Sequence, residues 1–322
     1  MELRKDYVLD RWVIVATERS KRPDDFKNAK AKKNVYKKGE KKNCFFCPGN
    51  EKTTPPEIGR VEKDGKWLIR WFPNKYAAVE PKGDSSIKCH NNFFTFSDAY
   101  GIAEVIAETP EHRKNFWDLE EWHIKEVLKV YAKRIEELSK INNIRYVQVF
   151  KNEGEEAGSS IKHTHTQIIA TNIVPLWIRE EVEATKSCGF CPYCKIIDIE
   201  KGSYRRVFES DEFVSFTPYA SKYPFEIWIF PKQHIRNITE MNENQLEQLA
   251  KMLNQILIKL KELNAQYNMC LHYAPQGEDL HFHIEITPRL TKWAGFEFFG
   301  TVINVVSPES AAEFYRNEPD KK

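Results

Sequence analysis

The sequence predicts an α+β protein built as two related halves, each an antiparallel sheet with one long helix packed on it. Three observations predict it. Short runs rich in Val, Ile and aromatic residues recur along the chain, two long segments carry helical periodicity, and the landmarks of the first half return in the same order in the second.

The strand-like runs are WVIVAT (12–17), WLIRWF (67–72), AEVIAE (103–108), YVQVF (146–150), QIIAT (167–171), EFVSFT (212–217), EIWIF (226–230) and HFHIEI (281–286), each bounded by polar or Pro/Gly segments. The first helix is expected over 118–140, where Leu119, Trp122, Leu128, Tyr131, Ile135 and Leu138 recur at mostly three- and four-residue steps. The second is expected over 243–264, with Leu246, Leu249, Leu253, Ile256, Leu257, Leu260 and Leu263 on one stripe and Asn242 or Asn244 as its cap. In the first half CFFCP (44–48) is followed by EVIAETPEH (104–112), a long helix, a strand and HTHTQ (163–167). In the second, CGFCP (188–192) is followed by EIWIFPKQH (226–234), a long helix, a strand and HFHIE (281–285). Internal duplication is the simplest account, with a seam near 172–187, giving halves of 1–175 and 176–322.

Bulk properties exclude several classes. The 322 residues are 41% apolar and 30% charged, a soluble globular balance. A net charge of only +2 argues against a nucleic-acid-coating protein, and the basic run from Lys27 to Lys42 reads as a solvated segment. The start MELRKDYVLDRW has no apolar signal stretch, and no apolar run approaches the roughly 20 residues that span a bilayer. A cytoplasmic protein with no membrane partner is expected. Five of the seven cysteines lie in two short clusters, which favours metal binding over a disulfide frame.

Cys44 and Cys47 form a C-x-x-C, a spacing that lets two thiolates hold one tetrahedral ion from a tight turn. His112 and His163 are the expected remaining ligands. The second set is expected to be Cys188, Cys191, His234 and His281, with Cys194 a competing ligand; the match of CGFCP to the first half favours Cys188. The mixed sulfur and imidazole donors favour zinc, one or two ions per chain. A redox role is disfavoured because neither pair is expected to open a helix.

On a strand, alternate side chains share a face, so His163, His165 and Gln167 point one way and Thr164 and Thr166 the other. A metal can then hold His163 while His165 presents a free imidazole, a competent nucleophile toward phosphorus, with the Gln167 amide beside it. The preceding NEGEEAGSSIK (152–162) supplies Gly154, Gly158, Ser159 and Ser160, a loop able to cradle phosphate oxygens.

These residues resemble the galactose-1-phosphate uridylyltransferase family of the histidine-triad superfamily. LRKDYVLDRWVIVATERSKRP (3–23), CFFCPGNEKTTPPE (44–57), FPNKYAAV (72–79), EVIAETPEH (104–112), FKNEGEEAGSSIKHTHTQ (150–167), AGFEFF (294–299) and PESAAEFYR (308–316) are similar to its blocks, in its order. The resemblance implies two histidine-triad-like halves and double displacement: His165 takes uridylyl from UDP-glucose, then passes it to a hexose 1-phosphate such as galactose 1-phosphate. It implies that Gln167 bonds a phosphoryl oxygen, that Ser159, Ser160 and Asn152 with Arg19 and Arg22 bind phosphates, and that Asn74 lies by the nucleoside. Lys292 and Glu297 would bind the hexose across the interface of a homodimer, and Cys44, Cys47, His112 and His163 would hold structural zinc.

There are departures from the family pattern. Thr164 stands where the family commonly has proline, and Ile303 where uridylyltransferases usually present a polar hexose contact. The second C-x-x-C is not universal among uridylyltransferases, whereas a plant-type branch acting on ADP-glucose with phosphate as acceptor also carries two zinc sites. The competing readings are therefore ADP-glucose:phosphate adenylyl transfer, a histidine-triad hydrolase, and a zinc-ribbon module for nucleic acid.

Overall fold

A computed structural model describes residues 1–5, 12–15 and 44–318. The chain forms two compact units. The first comprises residues 1–114, 134–149 and 160–179; the second comprises 115–133, 150–159 and 180–322. All named strand pairings are antiparallel, as the α+β class requires.

In the first unit, β1 (Glu2–Lys5), β2 (Trp12–Val15), β5 (Lys88–His90) and β6 (Phe94–Asp98) make a small sheet in the order β2-β1-β6-β5. The larger set is β3 (Gly59–Lys63), β4 (Lys66–Pro73), β7 (Gly101–Ala107) and β9 (His165–Thr171), in the order β9-β7-β4-β3. β7 and β9 are in register from Gly101↔Thr171 to Ala107↔His165. Buried Ile69, Phe72, Val105, Ile106, Ile168 and Ala170 include positions of both parities, so these strands bury side chains on both faces.

The strand β8 (Tyr146–Glu153) contributes its second half to the second unit, where Phe150–Glu153 pairs with β13 (Tyr267–His272). There β10 (Arg206–Glu209), β11 (Phe213–Phe216), β12 (Ile227–Pro231) and β14 (His283–Pro288) follow in the order β10-β11-β12-β14-β13.

The first long helix, α1 (Glu121–Ser139), starts later than its periodicity suggested. Leu119 precedes it and Trp122 is 40% exposed, while Ile124, Val127, Leu128, Tyr131, Ile135 and Leu138 form the buried stripe. Arg134 on this helix forks onto the buried Glu104 of β7 at 2.7 and 2.8 Å. α2 (Leu176–Cys188) and α3 (Pro192–Glu200) follow, the first running through the expected seam.

The second long helix, α4 (Glu243–Glu262), is opened by a capping box: Gln245 N donates to Asn242 Oδ1 at 2.9 Å, and Asn242 N to Gln245 Oε1 at 3.0 Å. Such a cap contributes about 1 kcal/mol. Leu246, Leu249, Leu253, Ile256, Leu257 and Leu260 are buried, each worth roughly 1.5–3 kcal/mol. Asn264, at φ 48°, ends it in the left-handed region. The chain closes with α5 (Pro308–Arg316), capped by Ser307. No helix among the described residues is long and apolar enough to cross a membrane.

Candidate active site and metal centres

The turn carrying Cys44 and Cys47 is closed by Cys47 N to Cys44 O at 3.3 Å and by the Asn50 side chain, which donates to Cys44 O at 2.8 Å. Opposite it, β7 ends at Ala107 and the chain turns out through Thr109 to His112, while the segment entering β9 brings in His163. Cys47 Sγ is 3.3 Å from His112 Nδ1, and His163 Nδ1 is 3.5 Å from Cys44 Sγ and 3.6 Å from Cys47 Sγ. All four ligand atoms lie within 4.8 Å of one another, and all four residues are buried.

The donor set fits a tetrahedral ion. A thiolate and an imidazole bound to one zinc stand about 3.5 Å apart. His163 Nε2 lies 2.7 Å from Thr109 O, and a carbonyl only accepts, so Nε2 carries the proton and the Nδ1 lone pair faces the sulfurs. Burial pushes the His163 pKa down to about 4, which keeps the imidazole neutral as a ligand must be.

The second unit repeats this arrangement around a different thiol from the one favoured above. Cys194 Sγ is 3.3 Å from His234 Nδ1 and 3.4 Å from His281 Nδ1, with Cys191 Sγ 4.0 Å from His281 Nδ1. The group is Cys191, Cys194, His234 and His281. Cys188 is exposed at the end of α2, and Gly189 at φ 69° turns the chain away after it. Cys191 is the N-cap of α3 and Cys194 lies in its first turn, so this pair does open a helix. The two histidines, not helix position, make it a set that could hold a metal ion. His281 Nε2 donates to Pro231 O at 2.9 Å and His234 Nε2 to Asp279 Oδ1 at 2.8 Å, orienting both Nδ1 atoms inward. Burial likewise pushes His281 down to about 4.

His165 opens β9. Its Nδ1 donates to the backbone carbonyl of His163 at 2.8 Å, which leaves the lone pair on Nε2. Phe46, between the two cysteines of the turn, packs edge-on against His165 with ring centroids 5.4 Å apart and against Phe72 at 5.4 Å. The corresponding His283 has the same Nδ1 contact to His281 O at 3.0 Å. It is walled in, however: Phe230 stacks on it at 4.7 Å, Tyr193 and Trp228 flank it, and its Nε2 is buried without a hydrogen-bond partner. His165 keeps 7% exposure and His283 none.

The other expected residues are placed as follows. Gln167 is half-buried on the His165 face, opposite Val105. Asn74 forms a turn after β4, its Oδ1 accepting from Tyr76 N at 2.9 Å. Ser160 is exposed in the first unit. In the second unit, Asn152 accepts from Asn268 at 2.8 Å, and Ser159 N donates to Gly154 O at 3.0 Å. Gly154 and Gly158, at φ 92° and 88°, give this loop a path that L side chains rarely follow. Lys292 pairs with Glu156 at 2.9 Å, and Glu297 accepts from Ala294 N at 2.9 Å. Arg19, Arg22 and the Lys27–Lys42 run lie outside the described residues.

Sequence reasoning missed Asp279, Glu108 (whose contacts are taken up below) and a third group of Glu181, His272, His283 and Glu285. In that group His272 Nδ1 is 2.9 Å from Glu181. Burial lowers the His272 pKa, but the Glu285 and Glu181 carboxylates override it and hold the group above the ordinary histidine value. The alternation in HFHIE, which puts Glu285 on the face of His281 and His283, was the available signal. A cleft of about 820 Å³ lined by Trp117, Trp122, Lys125, Ile258 and Lys261 holds none of the expected site residues.

Residues 1–175 match the model of the galactose-1-phosphate uridyl transferase N-terminal domain, and residues 147–320 that of its C-terminal domain. The ADP-glucose phosphorylase of Arabidopsis thaliana is 35% identical over 98% of this chain and 92% of its own length. The galactose-1-phosphate uridylyltransferase of Thermotoga maritima is 27% identical over 98% of both. Among solved structures, the Arabidopsis thaliana ADP-glucose phosphorylase with bound ADP-glucose superposes with a TM-score of 0.76 at 31% identity, covering 99% of this chain and 100% of that one. A uridylyltransferase superposes with a TM-score of 0.81 at 30% identity, covering 98% of each.

Proposed function

Because the chain belongs to the galactose-1-phosphate uridyl transferase family, we propose that it moves a nucleoside monophosphate from a nucleotide sugar to an acceptor through a covalent bond to His165. The carrying observation is the Nδ1 contact to His163 O, which fixes the tautomer and leaves Nε2 with its lone pair. Nε2 attacks the α-phosphorus, the bond to the bridging oxygen breaks, and hexose 1-phosphate departs with that electron pair. An acceptor oxygen then attacks the same phosphorus, and Nε2 recovers its lone pair. Gln167 donates its amide to a phosphoryl oxygen, where negative charge must be held in both steps. Cys44, Cys47, His112 and His163 hold a structural zinc that braces the nucleophile segment and takes no part in the chemistry.

Within this reading, ADP-glucose as donor and phosphate as acceptor are favoured over UDP-glucose and galactose 1-phosphate, reversing the first expectation. Support comes from the 35% identity to ADP-glucose phosphorylase and from the second set of two cysteines and two histidines, a feature that the resemblance ascribes to that branch. Membership of this family leaves the zinc-ribbon reading without support.

The test is intact mass spectrometry after incubation with each nucleotide sugar, followed by chase with phosphate or galactose 1-phosphate. An adenylyl adduct discharged by phosphate is expected. A uridylyl adduct discharged only by galactose 1-phosphate would return the first reading, and discharge by buffer alone would make the enzyme a hydrolase. Absence of any adduct on His165 would end the proposal.

A further inference from the structure

We propose that Glu108 is a positioning residue for His165, acting through the two threonines that flank the nucleophile. The inference rests on the His165 reading above. Glu108 follows the last residue of β7, and the final register pair of β7 and β9 is Ala107↔His165. Beyond it the backbone ladder runs out: Glu108 N to Thr164 O is 3.5 Å, the outer limit of a hydrogen bond. The Glu108 side chain takes over where the ladder fails. Its Oε2 accepts from Thr164 Oγ1 at 2.8 Å and its Oε1 from Thr166 Oγ1 at 2.6 Å.

All three side chains are buried, with exposures of 0% for Glu108, 3% for Thr164 and 0% for Thr166. They lie on the face opposite His165, so the carboxylate does not touch the nucleophile. One carboxylate instead spans its cross-strand neighbour and the diagonal one, a pairing that fixes the pleat between them.

The consequence reaches the imidazole through a single peptide unit. The carbonyl that holds His165 Nδ1 belongs to His163, and its peptide partner is the nitrogen of Thr164. Tethering Thr164 therefore tethers that carbonyl. The residue after Glu108 completes the grip, because Thr109 O accepts from His163 Nε2 at 2.7 Å. Glu108 and Thr109 thus hold the two residues preceding the nucleophile from opposite faces. A proline at position 164 would fix φ covalently, whereas threonine leaves that rotation free. The carboxylate supplies by hydrogen bonding the constraint that a ring would impose.

The experiment measures single-turnover nucleotidylation of His165, with ADP-glucose and with UDP-glucose, as a function of donor concentration. The variants are Glu108→Ala, Glu108→Gln, the shape-preserving Thr164→Val/Thr166→Val pair, and the pair combined with Glu108→Ala. Zinc content and Tm are recorded beside the rates. Glu108→Ala is expected to lower the maximal rate about tenfold to a hundredfold, with half-saturating donor and zinc unchanged. Glu108→Gln, which accepts from one threonine and donates to the other, should recover most of the rate. In the double-valine background Glu108→Ala should cost less than twofold, because the two threonine hydroxyls through which it acts are already gone. Equal losses in both backgrounds would overturn the proposal, as would losses that follow zinc content or half-saturation. If Glu108→Ala does not fold, the double valine variant must show the same slowed nucleotidylation by itself. An adduct formed at the native rate in all variants defeats only the tether; a native chain that forms no adduct defeats the His165 reading with it.

Discussion

His165 Nδ1 donates to the carbonyl oxygen of His163 at 2.8 Å, so the residue whose ring joins the group of two cysteines and two histidines offers its backbone to the proposed nucleophile. The two functions separate by substitution. His165→Gly should abolish transfer and the adduct while zinc content stays unchanged. A nucleotide imidazolide should restore the second half-reaction, since it carries the missing ring. His163→Ala should lose zinc and stability together. Intact mass and elemental analysis check both; an adduct trapped on His283 would reverse the assignment of halves.

Thiol chemistry tests the metal sets. About two zinc ions per chain are expected. Cys89 and Cys188 are exposed and should alkylate in the native protein. Cys270 should resist, because burial pushes its thiol up to about 12. Cys44, Cys47, Cys191 and Cys194 should become reactive only after chelation, the half-buried second pair first. Cys194→Ser should lose one zinc and Cys188→Ser none. Purification without chelators that yields no zinc would sink both sets.

The Glu104–Arg134 fork is buried at both ends, with side-chain exposures of 2% and 5%. Glu104→Ala leaves the guanidinium without its main partner and should destabilise by about 3–5 kcal/mol. Replacing both, as Glu104→Leu/Arg134→Met, should return most of that loss. Urea denaturation of the three proteins decides it; a single variant as stable as the native chain would refute the expectation.

Phe296, Phe298, Phe299, Ile303 and Val305 expose 54–92% of their surfaces within one short segment that also carries Lys292 and Glu297 nearby. Such a run of apolar side chains marks a contact surface. A two-fold dimer is expected, and Phe298→Ser/Phe299→Ser should shift it toward monomer with loss of transfer. Sedimentation that finds a fully active native monomer would overturn this.

The class, the two long helices and most strands were legible because burial imposes a period of 3.6 on the helices and enriches the strands in Val, Ile and aromatic residues. The first metal set was legible because its ligands come from a tight turn and two strand ends. What escaped has local causes. Cys188 matched the first half in register, yet ligand choice was settled by the turn at Gly189 and by Pro192 starting a helix after Cys191. α3 and α5 have nine residues each, and their periodicity spans too few turns to stand out. Glu108 escaped because a carboxylate ending an apolar strand looks like a solvated terminus until its two threonine partners are seen.

The strict alternation at the start of β9 gives the segment a parity. Odd positions from 163 to 167 carry imidazoles and an amide, and even positions carry the hydroxyls bound to Glu108. Slipping β9 by one residue against β7 would exchange the faces, turning rings toward the carboxylate and hydroxyls toward the thiols, whereas a two-residue slip would keep every side chain on its own face. The segment 161–164 is a bend rather than strand, so it can change length without changing that parity. The pairing of β9 with β7, and not the length of the approach, therefore decides which side chains meet the cysteines and which meet the carboxylate.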